Sequence, residues 1–168
     1  INSPGRLNFI TSIISRVRGN SLVLFHRIEH GKKIYEKLRR ESDKTVYYVD
    51  GGIDQDIREE HKKKMEAGED VVIVASYGTF STGISIKKIH NIFFTESFKS
   101  EVIIRQSIGR GLRQHSSKDS VNIIDFVDDL SSQDWDNYLM RHAKERQRIY
   151  REQKFKYDIK NVDFEGDI

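Results

Sequence analysis

"SLVLFHRIEHGKKIYEKL", residues 21–38, decides the fold. Residues 21–25 form a short, continuously apolar run. A half-exposed strand alternates apolar and polar residues, so an unbroken run predicts a strand buried on both faces. From Glu29 to Glu41 the pattern changes to a charged helix with Ile34 and Leu38 facing inward. A doubly buried strand that turns through His26-Arg27 into an amphipathic helix is the first half of a β-α-β unit.

The neighbouring sequence continues this alternation. Ser3-Pro4 starts a helix, with Ser as N-cap and Pro in the first helical position. Leu7, Ile10, Ile13, Ile14 and Val17 recur at helical spacing until Gly19-Asn20 stops them. Strands are predicted at 45–49, 71–76, 91–96 and 121–127, and helices at 54–67 and 101–113. Residues 77–88 hold too many Gly, Ser and Thr for a regular element and are expected as a loop. The predicted fold is therefore α/β: a mainly parallel sheet covered on both faces by helices. Ligands of such sheets gather at the carboxyl ends of the strands. Here those ends carry His26-Arg27, Asp50-Gly51-Gly52, Ser76-Tyr77-Gly78 and Glu96. Residues 1–130 are read as this domain and 131–168 as a C-terminal helical extension with an acidic tail. Within the extension, residues 140–156 hold seven Lys/Arg against two Glu. No internal repeat is present.

Composition narrows the function classes. The chain has 168 residues, 33% charged and 36% hydrophobic, with a net charge of +3 and a pI near 9.0. A mildly basic surface is compatible with a polyanionic partner without requiring one. The absence of cysteine excludes disulfides and thiolate metal sites. The six histidines lack ligand spacing, so no metal site is expected. No apolar run approaches the ~20 residues that span a bilayer. The first residue is Ile1, and the chain is expected to be part of a longer polypeptide.

The chemistry concentrates in "QSIGRGLR", residues 106–113. Two glycines inside a helix each cost roughly 1 kcal/mol relative to Ala, which calls for a compensating use. At 100° per residue, Gln106, Gly109, Arg110 and Arg113 share one face, while Ile104, Ile108 and Leu112 lie opposite. Two guanidiniums beside a side-chain-free position suit a polyphosphate, whose oxygens match the Arg fork. Two surface arginines on an ordinary helix remain the alternative.

These eight residues resemble motif VI of the superfamily 2 helicases, Gln-x-x-Gly-Arg-x-x-Arg. Residues 21–38 resemble motif IV, and "VIVASYGTFSTGISI" resembles motif V. "YYVDGGIDQDIREEHKKKMEAGEDVVIVAS" resembles the stretch in which a Gly-containing loop precedes a helix with an inward Arg, here Arg58. The resemblance covers about residues 20–128 and implies the second of two RecA-like domains. It implies that ATP and Mg²⁺ bind in a cleft between the domains, held mainly by the N-terminal one. No G-x-x-x-x-G-K-[ST] phosphate loop occurs in this chain, so it is expected to be inactive alone. Carried over by position, Arg110 and Arg113 would be arginine fingers and Gln106 would orient the phosphate or its attacking water. Gly83, Ser85 and Gly109 would lie near the nucleotide. Ser85 departs from the Asp of many members. His26, Arg27, Gly51, Gly52, Ser76 and Thr79 would grip the nucleic-acid backbone, the glycines equally explicable as turn residues. Arg58 is expected in a structural salt bridge. Arg146, Arg148 and Arg151 are candidate duplex contacts on a helix whose first role is to cap the domain.

The chain resembles in particular the recombination helicases of bacteriophages. That implies branched DNA or single/double-strand junctions as substrate, with recombination, repair and replication as the setting. The N-terminal RecA-like domain of the same polypeptide is the expected partner, with no membrane, a monomeric state and a cytoplasmic location in the host cell. A non-catalytic nucleic-acid or protein binding module with the same fold is the alternative. A phosphate loop upstream of Ile1 would separate the two.

Overall fold

All five residues of the run at 21–25 are buried, and alternate side chains enter two different cores. The structure is a computed structural model that describes residues 3–82, 86–97, 105, 120–130 and 137–163. Strands β1 (Ser21–Phe25), β2 (Val46–Val49), β3 (Val72–Ser76), β4 (Asn91–Phe94) and β5 (Asn122–Asp125) form one sheet, ordered β2-β3-β1-β4-β5. Every pairing is parallel. The described helices are α1 (Pro4–Arg16), α2 (Ile28–Glu41), α3 (Gln55–Ala67), α4 (Tyr77–Thr82) and α5 (Tyr138–Glu152).

The two cores make this a three-layer α/β fold, as the pattern of runs predicts. Val23 and Phe25 pack with Ile10 and Ile14 of α1 and Ile34 and Leu38 of α2. Leu22 and Leu24 pack on the other face with Met65 of α3, Tyr77 and Phe80 of α4, and Ile149 and Tyr150 of α5. The close fit explains Gly31 inside α2. A Cβ there would lie 2.4 Å from the Phe25 ring, so only glycine lets the helix sit this near β1.

Two features were not predicted. Residues 77–82, expected as loop, form α4. Tyr77 and Phe80, three apart, anchor it in the core, and that burial outweighs the poor helix propensity of its Gly, Ser and Thr. The second feature is a buried asparagine joint at the amino end of the sheet. Asn20 Nδ2 donates to the Met65 carbonyl (2.6 Å), and Oδ1 accepts from Val71 N (2.9 Å). Asn91 Nδ2 donates to the Arg18 carbonyl (2.9 Å), and Asn122 Nδ2 donates to Asn91 Oδ1 (3.0 Å). These amides satisfy backbone groups where the strands begin, and so fix the register of the sheet whose far end bears the site.

Candidate nucleic-acid and nucleotide interface

β1 sends the chain toward β2, whereas its neighbour β4 sends it toward β5, so the winding reverses between them. Such a reversal opens a crevice at the carboxyl edge of a parallel sheet. His26 and Arg27 leave β1 on one side of it, and both are exposed. Thr95 and Glu96 leave β4 on the other side, and both are buried.

Glu96 organises this crevice. Both of its carboxylate oxygens accept from the Arg27 backbone N–H at 3.2 Å. Arg27 is the N-cap of α2 but provides no capping side chain, so Glu96 supplies the negative charge from another strand. Burial raises the Glu96 carboxyl above its ordinary value, while the Arg27 N–H and nearby positive charges pull it back. Behind Glu96, Arg6 of α1 donates through Nε to Asp128 (2.5 Å) and through Nη2 to the Thr95 carbonyl (2.8 Å). His30 of α2, 2% exposed, is pushed down to about 4, first by burial and then by the positive charge of Arg6. The exposed His26-Arg27 turn thus rests on a largely buried polar network of Glu96, Arg6 and Asp128.

At the end of β2, Asp50 builds the turn. Its Oδ1 accepts from Gly52 N (2.8 Å) and its Oδ2 from the Tyr48 hydroxyl (2.9 Å). Gly51 and Gly52 both avoid the left-handed region that favours glycine, and a Cβ on Gly51 would meet no atom within 4 Å. Gly51 is therefore not needed by the fold itself, whereas a Cβ on Gly52 would lie 3.3 Å from the Asp50 Oδ1 that accepts its own N–H. Arg58, expected in a salt bridge, instead donates through Nη2 to the Gly51 carbonyl (3.1 Å) and braces the turn from α3.

At the end of β3, Ser76 Oγ accepts from Thr79 N (3.3 Å) and lies 2.8 Å from Thr79 Oγ1. Ser76 is half-buried and Thr79 is buried, so the Thr79 hydroxyl turns inward to the start of α4 rather than outward as a free phosphate contact.

The basic helix does not present all three of its candidate arginines to solvent. Arg146 is 0% exposed; it forks Asp125 of β5, Nε to Oδ2 at 2.7 Å and Nη2 to Oδ1 at 2.9 Å. That places it in the interior, closed to DNA. The signal was available: Arg146 lies in helical phase with Ala143, Ile149 and Tyr150, all buried. Arg148 is half-buried and paired with Glu145 and Glu152. Arg151 is exposed and touches the Tyr157 hydroxyl (3.3 Å), with exposed Lys154, Lys156 and Lys160 following it. Gly83, Ser85, Gln106, Gly109, Arg110 and Arg113 lie outside the described residues, as does the nucleotide side of the site they would form. Among the described residues, no group of three acidic or His side chains is placed to hold a metal, and no helix is long and apolar enough to cross a membrane.

Residues 5–115 match the family model described as the helicase conserved C-terminal domain. The "ATP-dependent DNA helicase uvsW" of Enterobacteria phage T4 is 39% identical over 153 residues, which is 85% of this chain and 30% of that protein. The "Putative ATP-dependent helicase IRC3" of Saccharomyces cerevisiae is 35% identical over 91 residues, 54% of this chain and 13% of that protein. Among solved structures, T4 UvsW superposes with a TM-score of 0.75 at 36% identity, covering 94% of this chain and 34% of that one. The C-terminal domain of the DEAD-box protein Dbp5 superposes with a TM-score of 0.68 at 16% identity over 90% of this chain and 80% of its own, a likeness of fold. The chain therefore spans about a third of the T4 protein's length or less.

Proposed function

Since the chain belongs to the helicase conserved C-terminal domain family, we propose that it is the second motor lobe of an ATP-dependent DNA helicase or translocase acting on branched DNA. Fork regression and branch migration at junctions, in recombination and repair, are the activities this reading assigns. ATP and Mg²⁺ are held mainly by an upstream RecA-like lobe, because this chain has no phosphate loop. Arg110 and Arg113 reach across to that lobe as fingers, and Gln106 assists them. An arginine placed at a transferring phosphoryl group stabilises charge that develops in the transition state, so its effect falls on turnover. DNA is the substrate on the strength of the T4 relative, which is named as a DNA helicase.

The observation that carries the nucleic-acid half of this reading is the open edge of the sheet. Exposed His26, Arg27, Gly51 and Gly52 lie on it, and Gly51 answers no internal demand of backbone or packing. A bare backbone turn there lets a phosphate approach the N–H groups closely, as sequence-independent binding requires. Ser76 stands at the same edge, and Gly83, Ser85 and Gly109 complete the proposed nucleotide side.

The experiment is Arg113→Ala in the full-length protein. ATP and DNA affinity are expected to stay within about threefold, while DNA-stimulated hydrolysis falls by about 10³-fold or more. Hydrolysis within a few-fold of wild type would remove the finger assignment.

A further inference from the structure

We propose that α5 is a brace that positions the finger-bearing stretch, acting through Glu152 on Arg105 and through Arg146 on Asp125 and Ser97. The proposal rests on the reading of Arg110 and Arg113 as fingers. Gln106, Arg110 and Arg113 lie between Ser97, where β4 has ended, and Asn122, where β5 begins. Side chains or backbone of α5 reach described residues on both sides of that stretch and within it. Ahead of it, Ser97 Oγ donates to the Leu139 carbonyl (3.3 Å) and accepts from Arg146 Nη1 (3.4 Å). Beyond it, Arg146 forks Asp125, and the Tyr150 hydroxyl donates to the same carboxylate at 3.0 Å. Within it, Arg105, which is helical and directly precedes Gln106, donates through Nη2 to Glu152 Oε2 at 2.9 Å.

The character of these contacts separates bracing from packing. Arg146 is buried and its attachment to Asp125 is part of the core. The Arg105–Glu152 pair is different: both side chains are more than a third exposed. Exposed pairs contribute little to global stability. Their effect is on where a side chain is held, and a finger misplaced by about 1 Å costs up to about 10²-fold in rate. Glu152 also takes Arg148 on its other oxygen, so the carboxylate that holds Arg105 is itself held from within α5. Arg105 and Glu152 are positioning residues; neither is assigned contact with the nucleotide.

The test uses the full-length helicase that contains this chain. Arg105→Glu, which sets two carboxylates against each other, is expected to lower kcat of DNA-stimulated ATP hydrolysis about tenfold, with KM for ATP and Kd for DNA changed by less than about twofold. Thermal stability is expected to stay near that of the wild type. Arg105→Glu combined with Glu152→Arg restores the pair in reverse and is expected to recover most of kcat; Glu145 remains to hold Arg148. Unchanged kcat in Arg105→Glu, or a loss the reversed pair fails to recover, overturns the brace. Arg113→Ala in parallel distinguishes the two failures. If it abolishes turnover while Arg105→Glu is active, only the brace falls; if it leaves turnover intact, the finger reading falls and takes the brace with it.

Discussion

His30 shows how one residue converts burial into pH dependence. Its imidazole titrates near 6.5 when exposed and is held down to about 4 in the fold, because burial and Arg6 both oppose its charge. A depressed base stabilises the fold above its unfolded pKa and loses that contribution as pH falls toward the folded value. Stability is thus expected to drop between pH 6.5 and 4, by up to about 3 kcal/mol from this group. Glu96 has the opposite sign: its raised carboxyl favours the fold at low pH and loses that as pH rises through the folded value. Urea melts of wild type and His30→Gln from pH 4 to 7 isolate the histidine, and identical pH slopes would show that it does not titrate as a buried group. Gly51 supports a second residue-scale prediction. With open space at its Cβ and an ordinary backbone, Gly51→Ala is expected to leave stability unchanged or raise it by about 0.4–1 kcal/mol. If the turn is a phosphate contact, DNA affinity falls several-fold in the same variant. Unchanged affinity would return Gly51 to the role of a plain turn residue.

At the scale of elements, the sequence announced the strands because unbroken apolar runs as short as 21–25 and 71–76 have few uses other than a strand buried on both faces. It concealed α4, whose Gly, Ser and Thr argue for a loop while two buried aromatics decide for a helix. Helical phase marks Arg146 as inward-facing, but the sequence concealed its partner and that of Asn20, since a charge or an amide in a sequence does not show which distant strand it meets. The edge residues His26, Arg27, Gly51, Gly52 and Ser76 were legible, because the ends of predicted parallel strands fix where ligands collect. Glu96 was legible as an edge residue, but its bond to the Arg27 N–H depends on β1 and β4 being neighbours. For α5 these distinctions have a measurable consequence. Removing Arg146 empties a fully buried site and leaves half-buried Asp125 without its main partner, and Arg146→Ala is expected to destabilise the domain by about 3 kcal/mol. Arg151→Glu with Lys154→Glu changes only exposed cations and is expected to spare stability. If this end of α5 meets DNA, it lowers affinity and flattens the salt dependence by about 0.9 per lost phosphate contact. Equal effects of the two variants on chemical denaturation would contradict the burial of Arg146.

For the whole molecule, the distribution of parts predicts a division of labour. The sheet, its asparagine joint and its two cores lie within these 168 residues, so the domain has what it needs to fold. Chemistry on a nucleotide needs more. The proposed fingers stabilise charge on a phosphate chain that something else must hold, and the sequence contains no phosphate loop to hold it. The T4 relative is more than three times longer than the aligned part, which leaves ample chain for a second lobe. The 168-residue domain alone is therefore expected to melt cooperatively and to bind DNA weakly through its open edge. That binding should weaken as salt rises, because phosphate contacts release counterions. It is expected to hydrolyse no ATP with or without DNA, whereas the intact polypeptide turns ATP over when DNA is added. The measurement is phosphate release by both proteins at matched concentration, beside DNA binding at two salt concentrations. DNA-stimulated hydrolysis by the domain alone would mean that it holds the nucleotide unaided, and the two-lobe reading would fail.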